Sequence, residues 1–172
     1  QALDRFVSAL DTDPDDGAAL AGAGESAFEL ADYVAASRYL NAAPEDDRIV
    51  AELREISELV LASDPLEPRL RVSERSRRLL VMIEQATASL GICLADPSVA
   101  GRDSLEALQV ETANFDAAVA EERRGDLRDL IDEGVDLVYR IERSIELRCS
   151  TPIMPLDRAL LLIGRRHGFE ES

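Results

Sequence analysis

Residues 17–43 read GAALAGAGESAFELADYVAASRYLNAA, and this stretch decides the fold. One face of its first half carries mostly small side chains at helical spacing: Leu20, Ala23, Gly24 and Ala27. This pattern predicts a helix over about 18–30 with a tight packing seam against a neighbour. Asp32 is typical of a helix N-cap, so a second helix should begin at Tyr33. Because the connection is short, the two helices should pack antiparallel.

The second helix repeats a pattern that stands at the start of the chain. A small, a large and a small apolar residue recur with a period of 34, at Ala2, Phe6 and Ala9 and again at Ala36, Leu40 and Ala43. A fixed period of this length is typical of stacked helical hairpins, none of which can bury its apolar face alone.

Helical patterns separated by turns continue to the end of the chain. The predicted helices cover about 2–11, 18–30, 33–43, 48–62, 74–94, 103–125, 126–148 and 156–166. Their expected boundary residues are Ser73, Asp103 and Asp126 as N-caps, and Gly125 and Gly168 as helix ends. The fourth helix should bury a stripe formed by Ile49, Leu53, Ile56 and Val60. No segment alternates with the two-residue period of a strand, so the chain should be all-α.

The first 47 residues resemble tetratricopeptide repeats. Residues 1–14 look like the second helix of an incomplete repeat that Pro14 closes, and the next repeat begins near Gly17. Ala31 stands where the family has a glycine at the bend of the hairpin. The resemblance implies a right-handed solenoid of helical hairpins with about eight helices.

Three segments follow from this resemblance. Residues 1–47 would be the repeats, 48–150 degenerate hairpins that continue the stack, and 151–172 a C-terminal capping helix, because a solenoid must cover its last apolar face. The alternative is that 70–172 forms a separate helical bundle.

The charge of the chain excludes some classes of partner. With 19 basic and 35 acidic residues, the net charge is −16, which argues against nucleic acid and anionic lipid and favours a basic protein or peptide. All basic residues are arginine, a bias typical of GC-rich bacterial genomes. No apolar run is long enough to insert into a membrane.

The sequence offers no catalytic or metal-binding pattern. The run Asp11-x-Asp13-x-Asp15 begins like a calcium loop, but Asp16 and Gly22 stand where that loop needs glycine and glutamate. His167 is the only histidine, and we expect it to complement the dipole at the end of the last helix. We therefore expect no enzyme activity, no cofactor and no metal.

Cys93 and Cys149 each fall on an apolar stripe at the carboxyl end of a long helix. With one helix between them, these two helices should run in the same direction, which brings both sulfurs to the same end of the stack. A disulfide is one alternative, and two separate buried thiols are the other. A bridge would indicate an extracytoplasmic or cell-envelope protein, and free thiols a cytoplasmic one.

The resemblance also implies where a ligand would lie, since the family binds peptides along the first helices of its hairpins. It assigns to this groove Ala18, Ala21, Glu25, Phe28 and Glu29, with Glu52 and Glu55 on the fourth helix. The family's carboxylate clamp uses Lys, Arg and Asn, whereas Ala21 and Glu25 stand at such positions here.

We therefore expect a non-catalytic interaction scaffold or adaptor that binds a segment bearing Arg or Lys in a concave acidic groove. The alternative is a self-associating structural module of a larger cell-envelope assembly, which forms a homo-oligomer through the incomplete repeat at residues 1–14.

Overall fold

The computed structural model describes residues 2–44, 47–121, 127–150 and 152–169, with the backbone alone given for 120, 121 and 127–129. Within these ranges the chain forms eight helices and no strand, which confirms the all-α prediction. The helices are α1 (Ala2–Leu10), α2 (Gly17–Glu29), α3 (Tyr33–Ala42), α4 (Arg48–Ser63), α5 (Val72–Leu94), α6 (Arg102–Glu121), α7 (Leu127–Arg148) and α8 (Pro155–Arg166). No helix within the described ranges is long and apolar enough to cross a bilayer.

The chain divides into two compact units, Gln1–Ala62 and Ser63–Ser172. The first contains α1 to α3 and nearly all of α4, and the second contains α5 to α8. The three segments expected from the repeat pattern, 1–47, 48–150 and 151–172, stay predictions.

Small residues on α2 let its neighbours approach closely. The predicted seam residues are all buried: Leu20, Ala23, Gly24 and Ala27. A Cβ atom on Gly24 would lie 2.5 Å from Cδ2 of Leu40 on α3, and one on Gly22 would collide with the ring of Phe6 on α1. Helix α2 therefore packs so closely against α1 and α3 that these two positions have no room for a larger side chain.

The connection between α2 and α3 is a Schellman motif. The N–H of Asp32 donates to the carbonyl of Ala27 at 3.0 Å, and the N–H of Ala31 donates to that of Phe28 at 2.9 Å. Ala31 has a φ of +57°, the left-handed conformation that glycine adopts most readily. Oδ1 of Asp32 then accepts the N–H of Ala35 at 3.0 Å, which confirms the predicted N-cap of α3.

Helix α4 packs on the end of α3. Arg54 donates from Nε and Nη2 to the carbonyl of Leu40 at 3.0 and 2.7 Å, and so satisfies an acceptor in the last turn of α3. Val50 is buried in the core cluster that contains Leu40, whereas Ile49 is 60% exposed. The predicted burial of Ile49 is therefore wrong. Residues 49 and 50 both have helical spacing from Leu53, and the contact with α3 selects Val50.

Two predicted caps in the second unit are also wrong. Helix α5 begins at Val72, so Ser73 lies inside it. The guanidinium of Arg75, in the first turn, donates instead to carbonyls of the preceding loop, at Glu67, Pro68 and Leu70. Asp103 lies inside α6, which begins at Arg102.

The first turn of α6 forms on the carbonyl of Gly101, which accepts the N–H groups of Ser104 and Leu105. Gly101 has a φ of +69°, so the turn before α6 uses a conformation that favours glycine. The predicted boundary at Gly125 and Asp126 lies outside the described residues. The predicted end of α8 at Gly168 is confirmed, because this residue has a φ of +79° and the N–H of Phe169 donates to the carbonyl of Gly164.

A disulfide joins Cys93, at the end of α5, to Cys149, directly after α7, with a Cα–Cα distance of 5.7 Å. Helices α5 and α7 pack side by side and run in the same direction, as the sequence predicted, because both carboxyl ends meet at the bridge. The cysteines are 56 residues apart, and closing a loop of this size in the unfolded chain stabilises the fold by about 4 kcal/mol in the chain-entropy estimate.

The bend at Ala31 generates the first prediction. Replacing Ala31 with glycine should stabilise the first unit by about 1 kcal/mol, because the left-handed conformation costs a Cβ-bearing residue about that much. Hydrogen exchange of the amides of α2 and α3, measured by mass spectrometry on the full chain, should slow by about fivefold. The matched control is Ala51→Gly on the exposed side of α4. Ala51 has an ordinary helical conformation, in which glycine is less favourable than alanine, so this substitution should destabilise the first unit and accelerate hydrogen exchange. Equal effects of both substitutions would contradict this account of the bend.

Candidate functional site

The residues predicted to face a ligand lie on α2 and α4 of the first unit. Ala18 and Glu29 are exposed, Ala21 and Glu25 are half-buried, and Glu52 and Glu55 on α4 are exposed. The acidic members are therefore within reach of solvent. Their assignment to a binding groove stays a prediction.

Phe28 has a structural contact that the sequence did not indicate. Its ring lies 5.5 Å from that of Tyr33 at an interplanar angle of 79°, an edge-to-face pair across the bend between α2 and α3. Phe28 also packs against the core cluster of the first unit and is half-buried. Part of this side chain therefore stabilises the hairpin.

The acidic run before α2 caps a helix and closes a turn. Oδ1 of Asp16 accepts the N–H groups of Ala18 and Ala19 at 2.9 and 3.1 Å, and Oδ1 of Asp13 accepts that of Asp15 at 3.2 Å. These bonds are those of an N-cap and an Asx turn. Among the described residues, no group of three His, Cys, Asp or Glu side chains could hold a metal ion.

His167, directly after α8, contacts the buried carboxylate of Asp64, which lies near the start of the second unit in the sequence. Its Nε2 lies 2.9 Å from Oδ2 of Asp64, and Nη1 of Arg166 donates to the same oxygen at 3.2 Å. The other carboxylate oxygen accepts the N–H of Leu66 at 2.8 Å, and the Asp64 side chain is only 2% exposed. This cluster secures the loop before α5 to the end of α8. The sequence indicated a cation at the helix end but could not indicate a partner so far away in the chain.

A second buried carboxylate lies among α5, α7 and α8. Oδ1 of Asp157 accepts hydrogen bonds from Nε2 of Gln85 and Oγ of Ser89, each at 2.9 Å, and Oδ2 accepts the N–H of Met154 at 3.2 Å. Asp157 therefore caps the start of α8 and binds α5 at the same time.

Glu142 on α7 lies close enough to Asp157 for the two charges to repel. It is 3% exposed, and its Oε1 has no hydrogen-bond partner in the described part of the chain. Burial, with a smaller contribution from the negative charge of Asp157, raises the pKa of Glu142 to about 9. At neutral pH Glu142 is thus a protonated, buried acid.

The sequence contains a signal for Glu142 that pattern analysis missed. Glu142 lies four residues after Val138 and three before Ile145, so it falls on the buried face of α7. An acid at such a position is rarely fully buried without a partner. A buried titratable group at this depth marks either a functional position or a cost in stability.

No family model, no curated protein and no solved structure matches the chain. The resemblance to tetratricopeptide repeats over residues 1–47 therefore depends on the residues themselves.

The buried acid generates the second prediction. The folded pKa of Glu142, about 9, lies above the ordinary value of 4.5, so the folded protein holds one more proton between these values. The free energy of unfolding should therefore fall as pH rises through this window, by at most about 1.4 kcal/mol per pH unit. In Glu142→Gln this loss should be absent, because the amide does not ionise.

Urea unfolding of the wild type and the variant, followed by circular dichroism at about pH 5, 7 and 9, measures this difference. The control is Glu133→Gln, an exposed acid on the same helix, which should keep the pH dependence of the wild type. If Glu142→Gln loses stability with pH as steeply as the wild type, the buried acid is not its cause.

Proposed function

We propose that this chain is a non-catalytic scaffold with a tetratricopeptide-like arrangement, which binds a basic polypeptide along the acidic face of α2 and α4. The observation that carries the proposal is the α2–α3 hairpin, with its glycine contact at Leu40 and its left-handed bend at Ala31. Hairpins of this kind stack into extended surfaces for other polypeptides.

Two features of the packing support the stacked arrangement. The anchors of the second copy of the repeat pattern are buried at Ala36, Leu40 and Ala43, as packing on both sides of a hairpin requires. In the second unit, α5 and α7 lie side by side in the same direction, with α6 packed against both. This is the relation expected of the first helices of two successive hairpins.

Charge favours a basic partner. The chain has a net charge of −16, and the candidate face carries Glu25, Glu29, Glu52 and Glu55. Carboxylates on the rim of an interface steer a positively charged partner and select it against neutral or acidic ones. Ala21 and Glu25 offer no donor for a terminal carboxylate, so side chains of Arg or Lys would be the recognised groups.

The disulfide favours an oxidising cellular compartment for this protein. Structural disulfides persist in oxidising compartments and are rare in reducing ones. With Cys93 bonded to Cys149, we place the scaffold outside the cytoplasm, as a proposal that follows from the bridge alone.

The third prediction tests the acidic face. Fluorescence anisotropy with a labelled, Arg-rich peptide should give a dissociation constant that rises about tenfold in the variant E25Q/E29Q/E52Q/E55Q, because several rim contacts of up to about 1 kcal/mol each are lost. The matched control removes four exposed acids from the second unit, E84Q/D116N/D132N/E133Q, and should change affinity by less than about twofold. Equal weakening in both variants would mean that the peptide senses only net charge, and the proposed face would be rejected.

One observation favours self-association as a second candidate function. Ala2 and Ala9 on α1 are exposed, whereas their counterparts Ala36 and Ala43 are buried. A second copy of the chain could cover this face of α1, since apolar helix faces are normally packed.

The fourth prediction separates this candidate from the scaffold. If α1 is an interface, static light scattering should give the mass of a dimer that Ala9→Arg converts to a monomer, because a charge cannot be buried there unpaired. Ala51→Arg, on the exposed side of α4, should leave the dimer intact. A wild-type monomer at all concentrations would exclude self-association through α1.

A further inference from the structure

The second unit contains a cavity of about 550 Å³ between α6, α7 and the segment after α8. Its volume lies in the usual range of small-molecule sites. Despite the acidic character of the chain, three arginines line it, and all three come from α7: Arg140, Arg143 and Arg148. Arg143 follows Arg140 by three residues and Arg148 follows it by eight, so each lies within about a quarter turn of Arg140 on the surface of α7.

Apolar side chains form much of the remaining wall. They are Leu108 on α6, Tyr139 and Leu147 on α7, and Phe169 after α8. Leu147 is 58% exposed, although it is a large aliphatic residue beside the cavity. The cavity thus combines an apolar surface with cationic groups, a combination typical of ligand sites.

Two of the three arginines are neutralised by acids of the protein. Arg140 donates from Nη1 to Oε2 of Glu111 at 2.9 Å and from Nε to Oδ2 of Asp136 at 2.8 Å. Arg143 forms an ion pair with Glu146. These guanidinium groups are held in place by their partners, and their charges are largely cancelled.

Arg148 differs from both. It makes no hydrogen bond or ion pair with any residue of the described ranges, and its Nε lies 3.0 Å from the position that a Cβ on Gly101 would occupy. A larger residue at 101 would therefore displace the guanidinium. The left-handed glycine leaves Arg148 room at the edge of the cavity.

Two hydroxyl groups line the same cavity as Arg148. Ser144 precedes Arg148 by one helical turn. The N–H of Ser104 donates to the carbonyl of Gly101, the residue whose Cβ position lies next to Arg148. Neither hydroxyl makes a hydrogen bond within the part of the chain that the structure describes. Arg148, Ser104 and Ser144 are therefore three cavity-lining donors that have no acceptor among the described residues.

We propose that this cavity binds a small amphiphile with one carboxylate and an apolar chain. The carboxylate lies at Arg148, with Ser104 and Ser144 as further donors, and the chain lies against Leu108, Leu147 and Phe169. A planar carboxylate matches the paired N–H groups of a guanidinium. A single negative charge fits because Arg148 is the one cavity-lining arginine left without an acid among the described residues.

The fifth prediction uses decanoate as the probe, at concentrations below those at which it forms micelles, with isothermal titration calorimetry on the full chain. Decanoate should bind, and Arg148→Gln should weaken it by about tenfold or more, as expected for loss of a charge-assisted hydrogen bond. The matched control is Arg69→Gln, which removes the same charge from an exposed position in the loop before α5 and should leave the affinity unchanged.

Two further ligands and one variant separate the parts of the proposal. Decanol tests the carboxylate and acetate tests the chain, and each should bind at least about tenfold more weakly than decanoate. Leu147→Asn alters an exposed side chain, so it should fold, and it should weaken decanoate. The proposal is overturned if decanoate does not bind, if decanol binds equally well, or if Arg148→Gln and Arg69→Gln have the same effect.

Discussion

Close approach of helices through glycine is the constraint on which both units depend. Aromatic residues make up only 4% of the chain, so its cores cannot be filled by a few large rings. Instead, helices pack at positions where no Cβ would fit. These contacts are Gly24 with Leu40 between α2 and α3, Gly134 with Leu79 between α7 and α5, and Gly164 with Tyr139 between α8 and α7. In each, a large side chain of one helix packs against the backbone of another, which compensates for the scarcity of large residues.

Arginine takes over much of the work of closing loops in a chain without lysine. Arg54 and Arg75 donate to carbonyls at a helix end and in a loop. Arg102 donates to the carbonyls of Leu94, the last residue of α5, and of Asp96. A guanidinium has several donors in a fixed plane, so one side chain can satisfy two or three neighbouring carbonyls. Each of these three half-buried guanidinium groups is thereby committed to backbone acceptors.

Local signals in the sequence predicted local structure well. The helices, the Asp32 cap, the Gly168 end and the seam of α2 each depend on residues within one or two turns, and the structure confirms them. The errors at Ile49 and Ser73 have different origins. Residues 49 and 50 both fit the spacing from Leu53, and the contact with α3 selects Val50, whereas α5 begins after Arg71, whose side chain makes no cap hydrogen bond.

The features that matter most for a site could not be predicted, because they join distant parts of the chain. Asp64 and His167 meet only once α5 to α8 are packed, and Arg148 reaches a cavity whose other walls come from α6 and the segment after α8. Glu142 is an exception, since its place on the buried face of α7 was readable. The buried face of α7 was identified from its apolar residues alone, so Glu142 was not noticed, although an acid on such a face indicates a buried charge or a buried protonated acid.

The bridge between Cys93 and Cys149 encloses α6 and α7 in a covalent ring. A protease that cuts the backbone once anywhere inside this ring leaves both pieces joined through Cys93 and Cys149. The cut molecule would not separate until a reductant opened the bridge. A single cleavage inside the ring therefore leaves the second unit as one covalent molecule.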